Sequence, residues 1–381
     1  MTELTFADFF AGIGLARLGL EQAGWEERFS NDIDPKKFNM YRDNFGDADS
    51  YLVEDIHKLA ASQIPDVTLW WSSFPCTDVS LAGYRKGLAG QQSGSLLPFL
   101  KLLDRKDGQR PAMVVLENVT GFATSRGGED LKDTVRELNR LGYSCDAFVL
   151  NAIHFVPQSR PRLFIVGVFD APSMTAEGVR EALQRRDKRL KLRQLTNLMT
   201  SGQGLQWMVL DLPALPRLQS GLAEVVEDLP EDSPRWWSED RVAYLLNQMF
   251  PRHLGVVQVL RDVPNTQYVT AYRRMRGGRS MAEVRADGIA GCLRTPRGGS
   301  SRQILLALGG GRVRARFMTP KECARLMGAA DYKIDVPDNQ AYFGFGDAVC
   351  VPVVRWLGAW VLNPRLRELT FSTQQAVSVS K

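Results

Sequence analysis

The chain is predicted to be an α/β protein in which a mainly parallel sheet is covered by helices on both faces, with a smaller, irregular second unit behind it. Three observations carry this prediction. Short apolar runs of strand length alternate with segments of helical period as far as Phe169. The residues best suited to chemistry, Gly12, Cys76 and Glu117, fall at the carboxyl ends of such runs, where ligands of open α/β sheets bind. Beyond Asp170 the pattern breaks up, as tryptophan becomes frequent and Pro213, Pro216, Pro230, Pro234, Pro251 and Pro264 punctuate short elements.

Taken in order, Leu4 to Phe10 reads as a buried strand that stops at Ala11-Gly12-Ile13-Gly14. In the following helix Leu15, Leu18 and Gly19 recur at i, i+3 and i+4, and Gly24 ends it. A second strand closes on Phe29-Ser30-Asn31-Asp32. Further strands are expected at Val67 to Ser72, Ala112 to Glu117, Asp146 to Asn151 and Arg162 to Phe169. Helices are expected at Pro35 to Asn44, Leu96 to Leu103 and Asp130 to Leu141. In the second unit a strongly basic helix is expected from Ala176 to Leu192. Another runs from Pro320 to Met327, with Thr319 as N-cap, proline in first position and Glu322 in the first turn. Gln340 to Val361 is apolar with helical character and is expected to rejoin the first unit; the tail after Thr370 is polar.

With 381 residues, 44% hydrophobic and 24% charged, the chain can bury a sizeable core and is expected to divide into two lobes. No run of eighteen apolar residues occurs and the N-terminus lacks a signal-peptide pattern, so a cytoplasmic location without membrane contact is expected. Five cysteines without a CxxC pair suggest neither a disulfide framework nor a metal site. The net charge of +5 is unevenly spread. Between Ala271 and Phe317 arginine excludes lysine, only Glu283 and Asp287 oppose it, and glycine pairs are interleaved. Mobile loops that approach nucleic-acid phosphates are expected there, with Arg273, Arg274, Arg276, Arg294 and Arg297 among the contacts.

A thiol at one strand end (Cys76, after Pro75) and a carboxyl at another (Glu117, before Asn118) suit covalent attack on a ring that is protonated as it is attacked. Alkylating a pyrimidine carbon requires that chemistry. Pro75 ends the strand ladder and turns the thiol toward a cleft; Cys145, Cys292, Cys323 and Cys350 lack that setting and are assigned to packing. The glycine turn has the first two glycines of a dinucleotide fingerprint, but Arg17 stands at the third, which disfavours a phosphate cradle. Asp32 and Asp55 stand where carboxylates bind an adenosine ligand that lacks phosphates.

The ordered series Asp8-Phe9-Phe10-Ala11-Gly12-Ile13-Gly14, Pro75-Cys76-Thr77-Asp78-Val79-Ser80, Glu117-Asn118-Val119, Gln158-Ser159-Arg160-Pro161-Arg162, Thr319 to Gly328 and Gly346-Asp347-Ala348-Val349 resembles the DNA cytosine-5 methyltransferases, in particular those of bacterial restriction-modification systems. The resemblance implies a class I S-adenosylmethionine-dependent methyltransferase, with a Rossmann-like sheet and helices on both faces. It divides the chain into a catalytic and donor-binding domain over 1–170, a target-recognition domain over 171–335, a segment returning to the catalytic domain over 336–372 and a tail over 373–381.

Carried over by residue, it makes Cys76 the nucleophile toward cytosine C6. Glu117 holds or protonates N3, Asn118 fixes Glu117, Arg162 binds the ring carbonyl, and Arg160 or Arg162 supplies positive potential to the thiol. The donor is S-adenosyl-L-methionine and the product S-adenosyl-L-homocysteine, with no metal. Phe10 faces the adenine; Ala11, Gly12, Ile13 and Gly14 approach the methionine portion. Asp32 takes the ribose and Asp55 the adenine amino group, Ile33 and Ile56 sandwich the ring, and Pro75, Leu97, Asp347, Ala348 and Val349 complete the pocket. Asp32 replaces the usual glutamate, and Asp347 stands where asparagine is usual, placing an added negative charge near the donor carboxylate unless it is paired. Ser80, Arg85 and Gln158 join the nucleic-acid contacts, and the glycine-rich segment Leu81 to Ser95 is expected to be a lid over a flipped base. The implied partners are double-stranded DNA, bound by a monomer, and a cognate restriction endonuclease without stable contact. A transfer-RNA enzyme of the same family typically carries Cys-Phe-Thr, which is absent; an inactive DNA-binding relative would not need Cys76, Glu117 and Arg162 together.

Overall fold

A computed structural model of the chain describes residues 3–46, 49–75, 94–296 and 302–369. The first unit contains β1 (Thr5–Phe9), α1 (Leu15–Glu21), β2 (Glu26–Asp32), α2 (Pro35–Phe45), β3 (Tyr51–Val53), β4 (Leu69–Ser72), α3 (Leu96–Arg105), β5 (Met113–Val119), α4 (Glu129–Arg140), β6 (Tyr143–Asn151) and β7 (Pro161–Phe169). These strands form one seven-stranded sheet in the order β3-β2-β1-β4-β5-β7-β6. Neighbours from β3 to β5 are parallel, while β7 runs antiparallel to both β5 and β6. The short return from Asn151 to Pro161 leaves no room for a crossover helix, so β7 must reverse.

The central strands are continuous apolar runs because both faces are buried. Phe6, Leu69, Trp71, Met113 and Val115 enter one core, and Ala7, Phe9, Trp70, Val114 and Leu116 the other. Glu117 continues the first series and Asn118 the second, so the strand end delivers its two polar residues to opposite faces.

The second unit begins with α5 (Ala176–Arg185), α6 (Arg193–Thr200), α7 (Leu222–Val225), α8 (Glu239–Asn247) and α9 (Pro251–Arg261). The basic helix expected as far as Leu192 stops at Arg185. Arg186 takes an extended backbone and turns inward, where its Nη1 and Nη2 lie 2.9 and 2.5 Å from the Asp146 carboxylate. The arginine-rich region is also not the set of loops expected from its glycines. It is dominated by β8 (Gln267–Arg276), β9 (Arg279–Arg285), β10 (Ile304–Gly309) and β11 (Arg312–Phe317), an antiparallel sheet in the order β11-β10-β8-β9. Gly277-Gly278 and Gly310-Gly311 have φ of 54° and 76°, and of 55° and 78°: both central positions are left-handed, as two-residue hairpin turns require. One face of this sheet, with Val269, Ala271, Ile304, Leu306 and Leu308, packs on Val242, Leu245 and Val257 of α8 and α9.

The chain closes with α10 (Pro320–Leu326), α11 (Asp338–Asp347) and α12 (Val351–Leu357). Thr319 and Glu322 form the capping box expected at α10. α12 packs on α1 so tightly that a Cβ at Gly19 would lie 2.6 Å from Val354 Cβ. The stretch from Asp338 to Leu369 is apolar enough over its length to cross a membrane, but 67% of its most apolar window is buried inside the protein, which accounts for its hydropathy.

Candidate active site

β5 and β7 bring the chemical residues together. Val119 pairs with Arg162 and Glu117 with Phe164, which makes Glu117 and Arg162 diagonal neighbours on one face. Arg162 Nε lies 3.0 Å from Glu117 Oε1. The Glu117 carboxyl is buried, and burial holds it above the usual carboxylate range against the opposing pull of Arg162, Arg160 and a hydrogen bond from Ser73. Trp71 Nε1 in turn donates to Ser73 Oγ at 2.9 Å. Asn118, on the other face, donates through Nδ2 to the Phe74 carbonyl at 2.9 Å and accepts the Val119 N–H at 2.8 Å. It therefore ties β5 to the backbone two residues before Cys76.

Cys76, Ser80, Arg85 and Arg297 lie outside the described residues, as does most of the expected lid. Arg160 is described, and its guanidinium is used in holding the backbone of other segments. It is fully buried, donating to the carbonyls of Leu293 (2.8 Å), Gly346 (3.1 Å) and Ala348 (2.5 Å). Gln158, expected at the nucleic acid, is likewise buried. Its amide donates to Leu326 O and accepts from Leu293 N, which fastens the segment between β6 and β7 to the second unit.

Cys292 is more than the packing residue expected. Its sulfur lies 3.4 Å from Arg160 Nη1, and although burial pushes the thiol up, Arg160, Arg162 and Arg294 together hold it below its ordinary range. No spacing in the sequence announces this, since Cys292 reaches the site through the fold. The remaining described thiols are buried as expected, and burial pushes the Cys350 thiol up to about 12.

Several of the residues expected to hold the donor lie at the turn after β1. Phe10 and Gly12 both have left-handed φ, 59° and 58°. Asp32 accepts the N–H of Gly12 at 3.0 Å and that of Asp34 at 2.9 Å, one on each oxygen, and Tyr51 Oη donates to the Gly12 carbonyl. Each Asp32 oxygen keeps acceptor capacity for a ligand hydroxyl. The space above Gly12 suits a ligand tail, because a Cβ there would meet only Lys37 Cδ, Asp32 Oδ2 and the Phe10 carbonyl at 3.8 to 3.9 Å. Gly14 has a different reason to be glycine: a Cβ would lie 2.5 Å from Phe45 and 2.7 Å from Tyr41, so α2 fills that space.

Ile33 is 64% exposed and Ile56 buried, a free apolar face and a packed one. Phe10 and Leu97 are half-buried, Ala11, Ile13 and Val349 buried, and Pro75 exposed. Asp55 accepts both the backbone N–H and the ring of His57, which holds its carboxyl below the usual range. Lys37, which the sequence did not single out, extends from α2 over Gly12 and places Nζ 3.0 Å from Asp347 Oδ2.

On the second sheet the β8–β9 hairpin carries its arginines ordered. Arg276 donates to Glu283 Oε1 at 2.9 Å and Tyr272 to Glu283 Oε2 at 2.8 Å, and Arg274 lies over the Tyr272 ring at 4.7 Å. Arg273 donates to Gln248 at 3.0 Å, and Arg294 is exposed beside Arg302 and Tyr342. Arg316, part of the same charge excess, is instead fully buried and paired with Glu322 at 2.5 Å.

Residues 4–362 match the family model described as C-5 cytosine-specific DNA methylase. The chain is 27% identical to the type II methyltransferase M.HhaI of Haemophilus parahaemolyticus over 361 residues, 94% of each protein. It is 36% identical to the type II methyltransferase M.Bsp6I of Bacillus sp. (strain RFL6) over 167 residues, 43% of this chain and 52% of that protein. Among solved structures it superposes on the S. pombe Dnmt2 methyltransferase with a TM-score of 0.60 at 18% identity, covering 95% of this chain and 99% of the other.

Proposed function

The chain belongs to the C-5 cytosine-specific DNA methylase family and is a DNA (cytosine-5) methyltransferase, and from that premise we propose that it transfers a methyl group from S-adenosyl-L-methionine to C5 of a cytosine flipped out of duplex DNA, through a covalent bond between Cys76 and C6. The observation that carries the reading is the pairing of a buried carboxyl at one strand end with a guanidinium at the next: Glu117 with Arg162, 3.0 Å apart.

Cytosine C5 is too weak a nucleophile to accept a methyl group unaided. As the Cys76 thiolate adds to C6, negative charge develops on the ring. Glu117, whose burial favours its protonated form, delivers a proton to N3 and leaves an electron-rich enamine at C5. Arg162 offers the fork of donors that a ring carbonyl accepts while keeping Glu117 in place. Asn118 fixes the strand end and, through Phe74, the approach of the thiol. When bound, the donor supplies an electrophilic methyl on a sulfonium; the residues around Gly12, Asp32, Ile33, Ile56 and Asp347 would hold it beside this pocket. Loss of the C5 proton and elimination of the thiol from C6 then restore the ring and the enzyme.

The exposed arginines of the β8–β9 hairpin and Arg294 would hold duplex phosphates, with the target sequence read by this second unit. The enzyme acts as the modifying half of a restriction-modification system, as its type II relatives suggest. Transfer of labelled methyl groups from S-adenosyl-L-methionine to duplex DNA, abolished by Cys76→Ser, is expected. Transfer confined to transfer RNA, or undiminished by that substitution, would overturn the reading.

A further inference from the structure

The geometry points to Lys37 and Asp347 as one interdependent charge pair in the donor pocket, in which the ammonium from α2 makes an acidic residue in the 346–348 turn compatible with the donor's amino-acid tail. The inference rests on the donor site proposed above and adds Lys37 to it.

Two observations carry it independently. First, Lys37 Nζ lies 3.0 Å from Asp347 Oδ2, and the Lys37 stem bounds the space over Gly12 together with Asp32. Lys37, with 20% of its side chain exposed, stands between Asp32, which also borders the space over Gly12, and Asp347. Second, the position of Asp347 is imposed from outside the pocket. Arg160 grips the carbonyls of Gly346 and Ala348 on either side of it. Gly346 itself is pressed against the backbone of Arg294 and Thr295, where a Cβ would lie 2.5 Å from Thr295 N. The backbone at Asp347 is thereby fixed, and its side chain, 45% exposed, meets the Lys37 ammonium on its protein side.

Without Lys37, a tail ending in a carboxylate would approach Asp32 and Asp347 with no lysine between them. Without Asp347, Lys37 still has Asp32 and Asp34. The pair is therefore asymmetric. Removing the lysine is harmful, removing the aspartate is mild, and removing both restores the balance.

Calorimetric titration of the full chain with S-adenosyl-L-homocysteine, a zwitterion without the sulfonium charge, tests this in four proteins. Lys37→Met, which keeps the stem over Gly12, is expected to weaken binding about tenfold, and Asp347→Asn to change it by less than about threefold. The double variant is expected to return to within about threefold of the wild type, which a misfolded Lys37→Met could not do. Adenosine, which has no carboxylate, is expected to bind all four proteins alike. Additive effects, no loss in Lys37→Met, or an equal loss for adenosine would overturn the pairing. If the wild type binds neither S-adenosyl-L-homocysteine nor S-adenosyl-L-methionine, the donor site itself is refuted, and the pair's role with it.

Discussion

Arg162 Nε stands 3.0 Å from Glu117 Oε1, on a strand that runs antiparallel to the one carrying the carboxyl. An arginine at this distance normally keeps a carboxyl ionised, yet burial outweighs it here and Glu117 sits above its ordinary range. A group poised in this way can give up a proton during attack and recover it afterwards.

Glu117→Gln separates this role from a structural one. A carboxyl whose pKa is raised by folding contributes stability that is complete below its unfolded value of about 4.3 and is lost as pH rises through the folded value. Glutamine does not titrate. The thermal midpoint of Glu117→Gln is therefore expected to gain on the wild type as pH rises from about 4 through the folded value, while methyl transfer falls about 10²- to 10⁴-fold. Parallel stability profiles would show that burial does not perturb Glu117.

Arg162→Lys keeps the charge and removes the planar fork. Methyl transfer is expected to fall at least about tenfold, with DNA and donor affinities nearly unchanged, because a single ammonium cannot hold both Glu117 and a ring carbonyl. Steady-state kinetics with separate binding titrations check this; activity close to wild type would mean that charge alone suffices.

Asn118→Ala removes the donor to the Phe74 carbonyl and the acceptor of the Val119 N–H. Denaturant unfolding is expected to show a loss of about 1–3 kcal/mol. The turnover number should fall, since the lost anchor holds the backbone two residues before Cys76.

Arginines of the second sheet divide by burial. Arg316→Ala strands Glu322 in the core and is expected to cost about 3–5 kcal/mol. Arg276→Ala lies on an exposed hairpin, so it should leave stability nearly unchanged and lower the slope of log affinity against log salt for duplex DNA by about 0.9. Unfolding curves and salt titrations distinguish the two.

The first unit is legible because strands buried on both faces are nearly continuous apolar runs, as in Met113 to Leu116 and, apart from the buried Asp8, in Phe6 to Phe9. β3 escaped notice because three residues, Tyr51–Val53, carry no period. The second sheet is not legible in the sequence, because arginine is depleted from buried strands and paired glycines read as flexible loops. In the folded chain those glycines turn the hairpins, and Glu283 and Glu322 supply the partners that let arginines sit in strands. Glu117, Asn118 and Arg162 were recognisable from local sequence. The burial of Gln158 and Arg160, the approach of Cys292 and the reach of Lys37 to Asp347 depend on segments more than a hundred residues apart, and no local pattern reports them.

The most direct measurement is bisulfite sequencing of DNA from cells expressing the chain beside cells expressing Cys76→Ser. Protected cytosines confined to one short sequence context, present with the wild type and absent with the variant, are expected. Unmodified DNA despite bound S-adenosyl-L-methionine, or the same protection in both, would contradict a cytosine-5 methyl transfer carried by Cys76.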